Sequence, residues 1–165
     1  MNIRVKSLDP ICGENPRILI LGTFPGEPSR KTKQYYNDDS NRFWGIINRV
    51  LNNNQGFLSY AAKEKCLKDH QIALWDIYET KLFTGESSNK GIKDPTFNDI
   101  KKFLSAQPTI EKIIFNGKTE PAYEFVRIIN DIPSEMCVYL LQTSGRAATK
   151  PADYLESWGE ALTKL

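Results

Sequence analysis

Histidine is almost missing from this 165-residue chain: His70 is the only one. It falls in a polar stretch read as a surface helix, so a mechanism built on a catalytic imidazole is excluded. Cysteine is scarce too, with Cys12, Cys66 and Cys137 far apart and odd in number. They lack metal-ligand spacing, and free thiols in a reducing compartment, without metal or cofactor, are expected. No apolar run nears the roughly 18 residues of a membrane span, and residues 1–10 hold no apolar signal segment. The expectation is a soluble, cytoplasmic protein. An excess of one charge is missing as well. The 22 Lys and Arg against 20 Asp and Glu leave +2, which permits a polyanionic partner without arguing for one. The length suits one domain, residues 1–165, with a single core.

What is present is an alternation of short apolar runs and amphipathic stretches. Residues 17–21, 72–77, 111–117 and 136–142 read as buried strands, the first stopped by Gly22. Helices are expected from about 41 to 51, capped by Asp39 or Ser40, then over 59–69, 95–106, 119–129 and 151–165. Residues 81–94 read as a long loop. Strands separated by helices imply parallel pairing through right-handed crossovers. The expected fold class is therefore α/β, a three-layer α/β/α sandwich around about four parallel strands. Ligands bind such sheets at the carboxyl ends of the strands. Here those ends carry residues 22–26, 76–78, 116–118 and 143–146.

Residues 21–44, LGTFPGEPSRKTKQYYNDDSNRFW, concentrate the unusual chemistry. The turn at Gly22, Thr23, Phe24, Pro25 and Gly26 lets backbone approach a ligand, yet it matches neither the dinucleotide fingerprint nor the P-loop. Arg30, Lys31 and Lys33 with Tyr35 and Tyr36 interleave basic and aromatic side chains, as a nucleic-acid backbone and an exposed base require. A solvated face and a tight turn are the plain alternatives. Of the neighbours Phe43 and Trp44, one is expected in the core, because adjacent helical residues cannot share a face.

LGTFPG followed by QYYNDDSNRFW resembles the opening motif of the uracil-DNA glycosylase superfamily, in its hypoxanthine and mismatch-specific branch. Leu74-Trp75-Asp76, Phe115-Asn116-Gly117-Lys118 and Leu141-Gln142-Thr143-Ser144-Gly145-Arg146 are similar to three later motifs, in the same order. Phe24 stands where mismatch-specific relatives carry Asn, Asp38-Asp39-Ser40 replace a His-Pro pair, and the last motif lacks its Pro and final Asn. The resemblance implies a monomeric DNA glycosylase that hydrolyses the N-glycosidic bond of a flipped hypoxanthine or uracil. It implies Asn41 and Asp76 as catalytic residues, with Asn41 orienting water toward the sugar. Gly22, Thr23, Phe24, Pro25, Gly26, Tyr36, Phe43 and Asn116 are the expected base pocket, and Phe43 the stacking ring. Ser29, Arg30, Lys31, Lys118, Thr143, Ser144, Gly145 and Arg146 are the expected DNA contacts. A non-cutting module for damaged or single-stranded nucleic acid, and an enzyme on free nucleosides or nucleotides, are the competing readings.

Overall fold

The computed structural model describes residues 3–83, 92–145 and 151–164. Its centre is a four-stranded parallel sheet of β2 (Ile18–Gly22), β3 (Ile72–Asp76), β6 (Lys112–Asn116) and β7 (Cys137–Leu140), in the order β3-β2-β6-β7. All five residues of β2 are buried, as its unbroken apolar run requires of a central strand. The two-residue period then sorts the core. Ile18 and Ile20 face α2 (Phe43–Leu51), α3 (Tyr60–Asp69) and α6 (Pro151–Thr163), while Leu19 and Leu21 face the side of α4 (Ile100–Ala106) and α5 (Glu120–Ile129). The α/β expectation with four parallel strands holds.

A second sheet was not expected. β1 (Ile3–Lys6), β4 (Tyr78–Phe83) and β5 (Lys93–Phe97) form an antiparallel sheet in the order β1-β4-β5. Part of the stretch read as loop is therefore strand, and Pro95 belongs to β5 rather than to a helix start. As an edge strand, β5 tolerates a residue without an N–H. The helix begins later, at Ile100, where the Asp99 carboxylate accepts the Lys102 N–H.

The expected cap of α2 also differs: Arg42 stands at the cap position, and the Asn41 Oδ1 atom accepts the Phe43 N–H at 2.9 Å. A further short helix, α1 (Glu27–Thr32), turns the basic run back on itself, with Pro28 in its first turn and a left-handed Lys33 ending it. Only Ile77 separates β3 from β4, so the chain passes from one sheet to the other at Asp76. Asn98, buried, fastens that junction by donating to the carbonyls of Asp76 (2.8 Å) and Tyr78 (3.3 Å).

Candidate active site

The strand register determines what meets at the carboxyl ends. Gly22 lies opposite Asp76, and Leu21 opposite Phe115, which puts Asn116 level with Gly22. A cavity of about 480 Å³ opens there, a size ordinary for small-molecule sites. Residues 22–26, Tyr36, Asn41, Asp76, Asn116, Thr143 and Ser144 all line it. A cavity of about 520 Å³ shares Tyr35 with it but is lined by residues 6–12 and the charged side chains of Lys33, Glu64 and Lys68. The carboxylate and amides singled out in the sequence converge on the former.

Asp76 is 3 % exposed, and its Oδ2 atom has no hydrogen-bond partner. Burial raises its carboxyl from an ordinary 3.8 to about 7. Its Oδ1 atom and the Tyr36 hydroxyl both crowd Gly22, where an added Cβ would meet them at 2.5 and 2.9 Å. Glycine is required by that close approach. Tyr36 has a left-handed backbone (φ 52°), a strained conformation for a large side chain that lays its ring 4.2 Å from that of Phe43. Burial and the Asp76 charge push its phenol up, so the hydroxyl stays protonated.

The amides form a directed network. The Asn116 Oδ1 atom accepts the Thr143 N–H, and its Nδ2 donates to both the Tyr36 hydroxyl and Thr143 Oγ1, each at 2.9 Å. The Thr143 hydroxyl in turn donates to Asn41 Oδ1 at 2.9 Å, which also takes the Phe43 N–H. With both carbonyl lone pairs engaged, the Asn41 side chain offers N–H groups, not an acceptor, to the cavity. A water oriented by Asn41, as the resemblance implies, would take its hydrogen bond from these N–H groups. Asp76, whose Oδ2 atom has no hydrogen-bond partner, is a buried side-chain acceptor on the same cavity wall.

Several expected contacts lie elsewhere. Phe43 is 0 % exposed, packed by Tyr36, Trp44 and Trp158 in the core and absent from the cavity wall, where the rings of Phe24, Tyr35 and Tyr36 stand instead. Ser29 is buried, its Oγ accepting the Asn37 N–H, and Thr143 is 1 % exposed inside the amide network. Neither side chain faces outward to a phosphate. Lys31 and Lys118 are exposed, Arg30, Ser144 and Gly145 partly so, and Arg146 lies outside the described residues.

Arg42, unremarked in the sequence, ties the last loop down. Its backbone N–H donates to the Thr143 carbonyl (2.9 Å) and its guanidinium to the Ser144 carbonyl (3.1 Å). Tyr154 and Trp158 hold the same loop from α6 by donating to the Gln142 and Leu141 carbonyls. Lys81, on the unexpected sheet, places its ammonium 4.8 Å over the Phe24 ring, and Arg30 lies 5.9 Å over the same ring. Burial, with the Arg30 charge, holds this lysine below its ordinary range.

Comparison with known proteins identifies the family and agrees with the fold. The family model described as the uracil DNA glycosylase superfamily matches residues 10–161. The chain belongs to that superfamily. It is therefore an enzyme of the DNA glycosylase class. A hypoxanthine DNA glycosylase of Methanosarcina barkeri is 28 % identical over 162 residues, 98 % of this chain and all of the relative. One of Methanosarcina acetivorans is 33 % identical over 119 residues, 72 % of this chain and 75 % of that one. Among solved structures, the solution NMR structure of a Methanosarcina acetivorans protein, named provisionally as a uracil DNA glycosylase, superposes with a TM-score of 0.78 at 27 % identity, covering 97 % of each chain. No helix among the described residues of this superfamily member is long and apolar enough to cross a membrane.

Proposed function

We propose that this glycosylase hydrolyses the N-glycosidic bond of a deaminated base, hypoxanthine or uracil, flipped out of DNA into the 480 Å³ cavity. The observation carrying this reading is the pairing, in one cavity, of an amide that can only donate, Asn41, with a buried acceptor, Asp76. Cleavage leaves positive charge on the sugar and negative charge on the departing base. The Asn41 N–H groups and the backbone amides of Thr23, Phe24 and Gly26 are suited to the base anion. The ionised Asp76 carboxylate is suited to the sugar cation and to the attacking water, whose proton it can accept.

The Tyr36 ring, backed by Phe43, supplies the stacking face. Stacking on one base is worth roughly 1–3 kcal/mol, which offsets much of the few kcal/mol that extrusion costs. Arg30, Lys31, Lys118 and Ser144 contact the backbone, and the enzyme acts on DNA as a monomer. The test is base release from oligonucleotides holding deoxyinosine or deoxyuridine, read as cleavable abasic sites, beside the same free nucleosides. Release from the polymer alone supports the reading. Turnover of free nucleosides, or binding without release, supports the competing ones.

A further inference from the structure

We infer that Thr143 is a positioning residue: its buried hydroxyl fixes the Asn41 amide with its N–H groups toward the cavity, and so makes the site read a carbonyl oxygen on the base. The inference rests on the glycosylase reading proposed above and adds a residue to it.

The argument is one of hydrogen-bond direction. A backbone N–H can only donate, so the Thr143 N–H identifies the Asn116 atom it meets as the carbonyl oxygen. The other Asn116 atom is then the nitrogen, and its two hydrogens go to the Tyr36 hydroxyl and to Thr143 Oγ1. Having received that hydrogen, the Thr143 hydroxyl directs its own proton to Asn41. The Phe43 N–H independently identifies the same Asn41 atom as oxygen. A flipped Asn41 amide would set N–H against two donors at once. The Thr143 carbonyl accepts the Arg42 N–H at 2.9 Å, so the residue is anchored through its N–H, carbonyl and hydroxyl. At 1 % exposure the Thr143 side chain is shielded from bulk solvent.

The chemical consequence is selectivity. Deamination puts a carbonyl where the parent base carries an amino group. An amide locked as donor matches the carbonyl and opposes the amino group, leaving buried donors facing each other. Asn116, which the sequence suggests as a base reader, has both N–H groups and its carbonyl oxygen engaged in three hydrogen bonds and acts through Thr143 instead.

Thr143→Val keeps the shape and removes the hydroxyl, whereas Thr143→Ser keeps the hydroxyl. Both are assayed by single-turnover release of hypoxanthine and uracil from duplex and single-stranded oligonucleotides, with DNA affinity and melting temperature measured alongside. The expected result is a single-turnover rate about 10- to 100-fold lower for Thr143→Val, DNA affinity within about twofold, and a near wild-type rate for Thr143→Ser. Equal rates for the two variants, or a loss confined to DNA affinity, would overturn the inference while wild-type release upholds the glycosylase reading. Absence of release by the wild type would overturn both.

Should Thr143→Val not fold, the wild-type protein still decides. A Thr143 hydroxyl proton protected enough to give its own NMR signal is expected, and one averaged with water overturns the assignment.

Discussion

Gly22 and Asp76 are register partners across β2 and β3, and a methyl group on the glycine would stand 2.5 Å from the Asp76 Oδ1 atom. The central strand thus ends in a residue with no side chain so that a carboxyl group can occupy the space above it. Gly22→Ala must displace either that carboxyl or the Tyr36 hydroxyl. We expect base release to fall by at least about tenfold, because a misplaced reacting group costs rate even where the fold survives. Single-turnover kinetics check this, with circular dichroism to show that the variant is folded.

Asp76 gives a pH signature. Its carboxyl is raised to about 7, and the acceptor role needs the ionised form. Base release should therefore rise about tenfold per pH unit below 7 and level off above it. Asp76→Asn should abolish that rise and lower the plateau by about 10²-fold or more. Stability runs the other way. Between pH 3.8 and about 7 the folded state holds a proton that the unfolded state has lost, so the contribution of Asp76 to stability is greatest below pH 4 and declines until about pH 7. Three pH units correspond to about 4 kcal/mol, and Asp76→Asn should regain up to that amount at pH 8. Denaturant unfolding of both proteins at pH 4 and pH 8 measures it.

Phe43 and Tyr36 are in contact but should respond differently. Phe43→Ala, at a fully buried position, should cost about 3–5 kcal/mol of stability. Tyr36→Leu should weaken binding of the flipped base by about 1–3 kcal/mol, the loss of one stacking contact. Melting temperatures and affinities for damaged against undamaged oligonucleotides separate the two.

Lys81 and Arg30 lie 4.8 and 5.9 Å from the centre of the ring of Phe24, which lines the cavity, and the two like charges repel. A DNA phosphate would relieve their repulsion. Lys81→Gln should weaken binding to every sequence alike and reduce the slope of log affinity against log salt by about 1. Titrations at several salt concentrations test this.

The sequence made the parallel sheet legible because unbroken apolar runs such as residues 18–21 have one physical outcome, burial on both faces. It also brought Gly22, Asp76, Asn116 and Thr143 to one sheet edge, since strand ends follow from strand order. The second sheet escaped because β1, β4 and β5 mix charged and apolar residues, and their pairing is settled by distant partners. Pro95 was misleading because helix starts and edge strands both accept proline. The burial of Phe43 has a reason no pattern carries: the Tyr36 ring, on a left-handed backbone, lies 4.2 Å from it and lines the cavity in its place. The direction of the Asn41 amide, likewise, depends on donors from residues 43 and 143.

The most direct measurement is single-turnover base release by the wild type and Asn41→Ala on oligonucleotides carrying deoxyinosine or deoxyuridine. Removing one donor aimed at a departing anion costs about 10²- to 10³-fold. Release by the wild type, a loss of that size in Asn41→Ala and unchanged DNA binding are the predicted results. Abasic sites formed by Asn41→Ala at the wild-type rate would contradict the account.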